Sequence, residues 1–220
     1  MSSDDNYLIQ NNFRPISGWT LVLFGVFLLA VGSLATWFLR SHPLGLIGIL
    51  ALFYGVALLS VLLAVLPMGR AAPPALGLRP AGWRYVVFGA LGTLALSIAV
   101  SRVGPEPEGM KQVMDLVQDP RKLLPCLFAF AVLGPVVEEL TFRGLLYGWV
   151  EGRWGSKVAL VVSSLAFAGA HYEPAHILLV LPLGFLFGWL RRRTNSLAPC
   201  LVSHVVNNGF AVLSAAYLGG

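Results

Sequence analysis

The sequence predicts an all-α fold, a polytopic transmembrane helical bundle of about seven spans with six to eight allowed, on three observations. Its 220 residues are 57% hydrophobic and only 11% charged, with a mean hydropathy of +0.77. Apolar runs of roughly spanning length recur with short links between them, leaving no room for a soluble domain. All six tryptophans, at positions 19, 37, 83, 149, 154 and 189, fall near the ends of those runs, as an aromatic belt at the membrane interface requires. The chain therefore reads as one integral membrane domain over 1–220. The net charge of +5 is mostly arginine at run ends, which the positive-inside rule accounts for. No basic, aromatic-interleaved hydrophilic face is present to bind nucleic acid.

Taken in order, residues 1–16 form a polar tail with Asp4 and Asp5 in place of a basic n-region, so the first apolar run is expected to stay as a span. That span covers Ser17 to Phe38 and the second Leu44 to Leu66, parted by Arg40-Ser-His-Pro43. Both lack charge and read as lipid-facing scaffold, with His42 at the interface. The Pro/Gly-rich connector from Pro67 to Pro80 cannot be a continuous helix. A third span, Trp83 to Val100, completes the motif-free scaffold of residues 17–101. Residues 102–122 are a polar loop or an interfacial helix; the stripe Met110, Val113, Met114 and Val117 is weak and favours the loop.

Residues 123–218 carry the polar chemistry. The apolar run from Pro125 to Val150 contains Gly134-Pro-Val-Val-Glu-Glu-Leu-Thr-Phe-Arg-Gly144, where the proline predicts a kink or a fresh helix start one turn before Glu138. Two shorter runs follow, Lys157 to His171 and Ala175 to Leu190, neither of comfortable spanning length, and then Leu197 to Leu218. Glycines at 144, 148 and 152, and again at 184 and 188, recur every four residues, which lets backbones approach closely in lipid. Lysines and arginines counted on alternating sides favour a cytoplasmic N-terminus and an outward C-terminus. Cys126 and Cys200 sit in apolar contexts and read as packing residues.

Ionisable groups at bilayer depth are costly and mark functional sites. At about 100° per residue Glu139 and Arg143 stand one turn apart and can pair, while Glu138 points roughly a quarter-turn away and is left to face something else. A carboxylate left in that position suits a general base if polar groups from other helices meet it. His171 ends one later run, and His204 with Asn208 lies on one face of another, with Asn207 beside them. Converging in the bundle core, these groups can deprotonate water and stabilise an oxyanion, which makes the available chemistry hydrolysis of a carbonyl compound. Each also has a structural reading: a buried Glu139–Arg143 pair, an interfacial His171 beside Glu173, an interhelical adhesive role for His204 and Asn208, and packing for Phe167. His176 matches no motif and reads as interfacial.

Glu138-Glu-Leu-Thr-Phe-Arg143 fits EExxxR, Phe167-Ala-Gly-Ala-His171 fits FxxxH, and His204-Val-Val-Asn-Asn208 fits HxxxN, in that order. From about Leu123 to Phe210 the chain resembles the CPBP family, the CAAX proteases and bacteriocin-processing enzymes also called Abi proteins. That resemblance implies a metal-independent intramembrane glutamate-type peptidase with its site in the bundle core. Glu138 and His171 would activate water, His204 and Asn208 would stabilise the oxyanion, Glu139 and Arg143 would orient the site, and Phe167 would pack beside it. The implied partners are the lipid bilayer and a membrane-associated peptide or protein, lipidated or not. The compact size favours a prokaryotic inner membrane. Three alternatives remain open: zinc held by Glu138, His171 and His204, although HExxH is missing; a non-catalytic immunity or binding protein; and a proton relay for transport, for which no inverted repeat is visible.

Overall fold

A computed structural model describes residues 16–105 and 107–218. The predicted polar tail lies outside them except for its last residue, Ile16, which belongs to the core instead, packed with Leu76 and Leu145. The described residues are helices and turns with no strand. Helix α1 is Gly18–Ser41, α2 Leu46–Val65 and α3 Trp83–Ser101. Helix α4, Glu108–Val117, precedes the long helical stretch Pro120–Gly169, and α7 (Pro174–Thr194) and α8 (Ala198–Leu218) complete the bundle.

Six of these helices are long and apolar enough to cross a membrane, so the chain is a multi-pass integral membrane protein. The longest is not one rod. At Gly155 the backbone turns to φ 80° and ψ 168°, a conformation that glycine adopts without steric cost. The break divides it into α5 (residues 120–154) and α6 (residues 156–169), and with it the seven predicted apolar runs each have their helical leg.

Four elements differ from expectation, each for a local reason. Residues 108–117 are a helix, not a loop. Its apolar side closes on the bundle, Val117 being buried with Cys126, Val212 and Ala215 and flanked by Val113, Met114 and Leu116. Its first turn is tied down from outside: the Glu173 carboxylate accepts from the backbone N–H of Glu108 at 2.8 Å and of Gly109 at 3.5 Å. Second, α7 continues through Arg191–Arg193 because Arg191 is fully buried and partnered, so the arginine does not end the apolar run.

Third, Pro135 neither breaks nor restarts the helix. The chain widens into π-helical turns on both sides, over Leu127–Leu133 and Leu140–Leu146, and a wider turn absorbs both the ring and the missing N–H. Fourth, α1 is lipid-facing as predicted, but α2 turns Tyr54 inward to the polar site. The connector behaves as expected, a 3₁₀ segment at Leu66–Ala71 and a short turn of helix at Ala72–Ala75, with positive φ at Gly69 and Gly77.

The glycine spacings are read out as contacts. A Cβ on Gly148 would meet Ile16 at 3.0 Å, and one on Gly188 would meet the Ser164 hydroxyl at 2.9 Å. Asp119 caps α5 by accepting from the Arg121 backbone, and the Arg121 guanidinium holds the Asp119 carboxyl below its ordinary range.

Replacing Glu173 with alanine removes the acceptor for two N–H groups of α4. The first turn of α4 is expected to exchange its amide hydrogens roughly fivefold faster, in line with about 1 kcal/mol for a lost helix cap. Hydrogen exchange in detergent checks this, with exchange in α7 and α8 little changed.

Candidate active site

The site is built on the widened middle of α5. Glu139 and Arg143 lie one turn apart, and Arg143 Nη1 donates to Glu139 Oε1 at 3.0 Å with both side chains buried. A guanidinium has more donors than one carboxylate oxygen can use. Nη2 therefore donates to the main-chain carbonyl of Gly184 on α7 at 3.0 Å, which also accepts from Ser164 Oγ on α6 at 2.9 Å. Gly184 is small for that reason: a Cβ there would meet the Phe167 ring at 3.1 Å and the Ser164 carbonyl at 3.3 Å. The Phe167 ring lies under the guanidinium at 4.2 Å, a further stabilising contact for a desolvated cation.

From α8, His204 joins the same carboxylate, its Nδ1 standing 3.0 Å from Glu139 Oε1. Facing a carboxylate that already accepts from Arg143, Nδ1 carries the proton and donates. The other ring nitrogen, Nε2, then stands 3.6 Å from Oε2 of Glu138, within ion-pair reach but beyond a direct hydrogen bond. Phe187 stacks on the imidazole at 5.0 Å and Phe167 meets it edge-on at 5.7 Å, which fixes the ring plane. Glu138 is thus the carboxylate outside the Arg143 pair, and its side chain keeps 20% of its surface.

Glu138 has a second partner that lies outside every motif. The Tyr54 hydroxyl of α2 donates to Glu138 Oε1 at 3.4 Å. Gly134 gives the tyrosine its place, since a Cβ there would stand 3.1 Å from the ring and 3.2 Å from the hydroxyl. The available signal was a tyrosine in mid-span, away from the interface, where its hydroxyl needs a partner.

His171 sits in the tight turn between α6 and α7, after which Tyr172 takes a left-handed φ of 59°. Its Nδ1 donates to the Phe167 carbonyl at 2.9 Å, so Nε2 is the bare, basic nitrogen. Its ring packs against Phe167 at 5.1 Å and against His176 at 4.5 Å. Among the described residues no hydrogen bond joins His171 to Glu138; the two are linked through Phe167 and His204. His176, read from sequence as merely interfacial, is therefore beside this site.

Asn208 has partners on the main chain of α5 and within its own helix. Its Nδ2 donates to the Phe130 carbonyl at 3.0 Å, and its Oδ1 accepts from Asn207 at 3.2 Å. The reason lies in the π register, where a carbonyl bonds to the N–H five residues on. For Phe130 that residue is Pro135, which has no N–H. Asn208 satisfies the carbonyl that the proline orphans. Three or more His, Cys, Asp or Glu side chains arranged to hold a metal ion are not found among the described residues.

Comparison with known proteins follows the same boundaries. Residues 120–210 match the family model described as type II CAAX prenyl endopeptidase Rce1-like. The chain is 28% identical over 112 residues to the Bacillus subtilis (strain 168) protein named "Putative membrane peptidase YdiL", covering 50% of this chain and 44% of that one. It is 27% identical over 126 residues to "Membrane-embedded CAAX protease MroQ" of Staphylococcus aureus (strain USA300), covering 54% of this chain and 51% of the relative. The matched part is about half the length of each. No solved structure matches.

Removing Arg143 strands Glu139 in the core. Arg143→Leu is expected to lower stability by about 3–5 kcal/mol, as for other broken buried pairs, whereas Glu139→Gln with Arg143→Met together should cost less than the single change. Unfolding by denaturant in detergent measures both. Asn208→Leu orphans the Phe130 carbonyl and is expected to cost about 1–3 kcal/mol.

Proposed function

Since this chain belongs through residues 120–210 to the CPBP family of CAAX-type membrane proteases, we propose that it is an intramembrane endopeptidase that hydrolyses a peptide bond in a membrane-associated substrate. The observation that carries the reading is the division of labour between two adjacent carboxylates. Glu139 is committed to Arg143 and His204, whereas Glu138 is partly exposed and held only by Tyr54 and the edge of His204.

In the proposed reaction Glu138, with His171 Nε2 as the second base, takes a proton from water as its oxygen bonds to the scissile carbonyl carbon. The carbonyl π pair moves to oxygen, and that oxyanion accepts from Nε2–H of His204. In this step His204 carries a proton on each ring nitrogen, Nδ1–H donating to Glu139 and Nε2–H to the oxyanion. Asn208 supplies the second donor from the amide hydrogen that the Phe130 carbonyl leaves over. Collapse reforms the carbonyl and breaks the C–N bond, and the proton held by Glu138 passes to the leaving amine. Binding energy for the substrate comes from its membrane-embedded segment, whether lipidated or plain.

Quenched fluorogenic peptides, lipidated and unlipidated, presented to the protein in nanodiscs test the reading. Wild type is expected to cut at least one peptide, and Glu138→Gln, His171→Ala and His204→Ala to lose about 10²-fold or more of that rate, with folding checked for each. Tyr54→Phe should keep the fold and lower the rate by a smaller factor. Cleavage abolished by a chelator and restored by zinc would reassign Glu138, His171 and His204 to a metal. A panel left uncut, with variants that retain cellular function, would replace catalysis by binding or immunity.

A further inference from the structure

The seam between α6 and α7 opens at one membrane interface into a cleft of about 500 Å³ lined by Ser156, Trp189, Arg192 and Arg193. That volume is in the range of small-molecule sites. Arg192 Nε donates to Ser156 Oγ at 3.2 Å, so the side chain of this exposed residue lies across the seam. Arg193 is exposed and has no partner among the described residues. Gly155, at φ 80°, ends α5 and starts α6 afresh, and a Cβ there would meet nothing within 4 Å, so there is open space at the residue that leads into α6. Unpaired N–H groups of a first helical turn favour an anion.

Two features tie the cleft to lipid. Trp189 is 46% exposed at the end of α7, the level at which indole rings meet headgroups. Below it, α6 presents an exposed apolar face through Val158, Val161 and Leu165, where acyl chains can lie. Basic pockets between transmembrane helices are a recognised form of anionic headgroup recognition.

We propose that this cleft is a headgroup site for an anionic phospholipid. Its phosphate would be held by Arg192, Arg193 and the Ser156 hydroxyl, and its tails would lie along α6. The phosphate chemistry alone would also suit a soluble phosphate ester, so the test has an arm for each source.

Native mass spectrometry of the protein from mixed phosphatidylglycerol and phosphatidylcholine micelles reads retained lipid. Phosphatidylglycerol is expected to be retained several-fold over phosphatidylcholine. Arg192→Gln with Arg193→Gln should remove that preference, and Arg193→Gln alone, which breaks no hydrogen bond or ion pair among the described residues, should reduce it. Arg40→Gln with Arg102→Gln, equal in net charge, should leave it intact. Equal retention by wild type and the Arg192/Arg193 variant overturns the site, as does loss of the preference in the Arg40/Arg102 variant. If inorganic phosphate or glycerol phosphate raises the melting temperature of wild type as much as phosphatidylglycerol does, and only when Arg192 and Arg193 are present, the lipid assignment is overturned in favour of a soluble anion.

Discussion

A guanidinium with no exposed surface, set in a protein that faces lipid, has to find its counter-charge and acceptors inside the fold. Arg143 imposes that condition here. It draws a carboxylate from its own helix, a carbonyl from α7 and an aromatic face from α6. His204 then joins from α8 at the same carboxylate oxygen, Glu139 Oε1. Four helices are thereby fixed around one cation before any question of catalysis arises. The arrangement also separates the two adjacent glutamates. With Glu139 Oε1 taken by both Arg143 and His204, the neighbouring Glu138 is the acid left with a long tyrosine contact and a partly open flank.

Widened helical turns are the second constraint, and they come with identifiable partners. A π turn releases carbonyls that an α-helix would use, and lipid offers no water to take them. On α5 the carbonyl of Phe130 goes to Asn208 and that of Arg143 goes to Arg191 Nε at 3.1 Å. Asn208 therefore has a structural duty that stands whatever its part in chemistry. Loss of function on its substitution would mix the two, which is why stability and rate must be read on the same variant.

Much of this was legible in the sequence. Spacing alone put Glu139 beside Arg143 and turned Glu138 away, because i and i+4 are neighbours on any helix near 3.6 residues per turn. Glycine periodicity marked the close packings, and apolar run lengths marked the seven legs. What could not be read depended on register between distant segments. Tyr54 lies 84 positions before Glu138, and nothing local in an apolar span says which face turns inward. Helix α4 is hard to see in the sequence because its short stripe is completed by residues of α2, α5 and α8. Pro135 was over-read: the rule that proline breaks a helix assumes an α register, and this helix changes register instead.

The same dependence reaches the connector, the region with least apparent chemistry. Arg191 holds the Arg143 carbonyl with Nε and reaches Asn195 with Nη1 at 2.6 Å. Its guanidinium lies so close to Gly77 that a Cβ at that position would stand 2.8 Å from it. Gly77 also has φ 81°, where any other residue is strained. Its carbonyl accepts from the Leu197 N–H at 2.8 Å, just before α8 begins. Glycine is thus required at position 77 for space and for conformation together. A side chain there would displace Arg191, free the Arg143 carbonyl, and disturb the π turn on which the Glu139, Arg143 and His204 contacts rest. A residue in a Pro/Gly-rich link without a motif therefore bears on the geometry of Glu138 through three successive contacts.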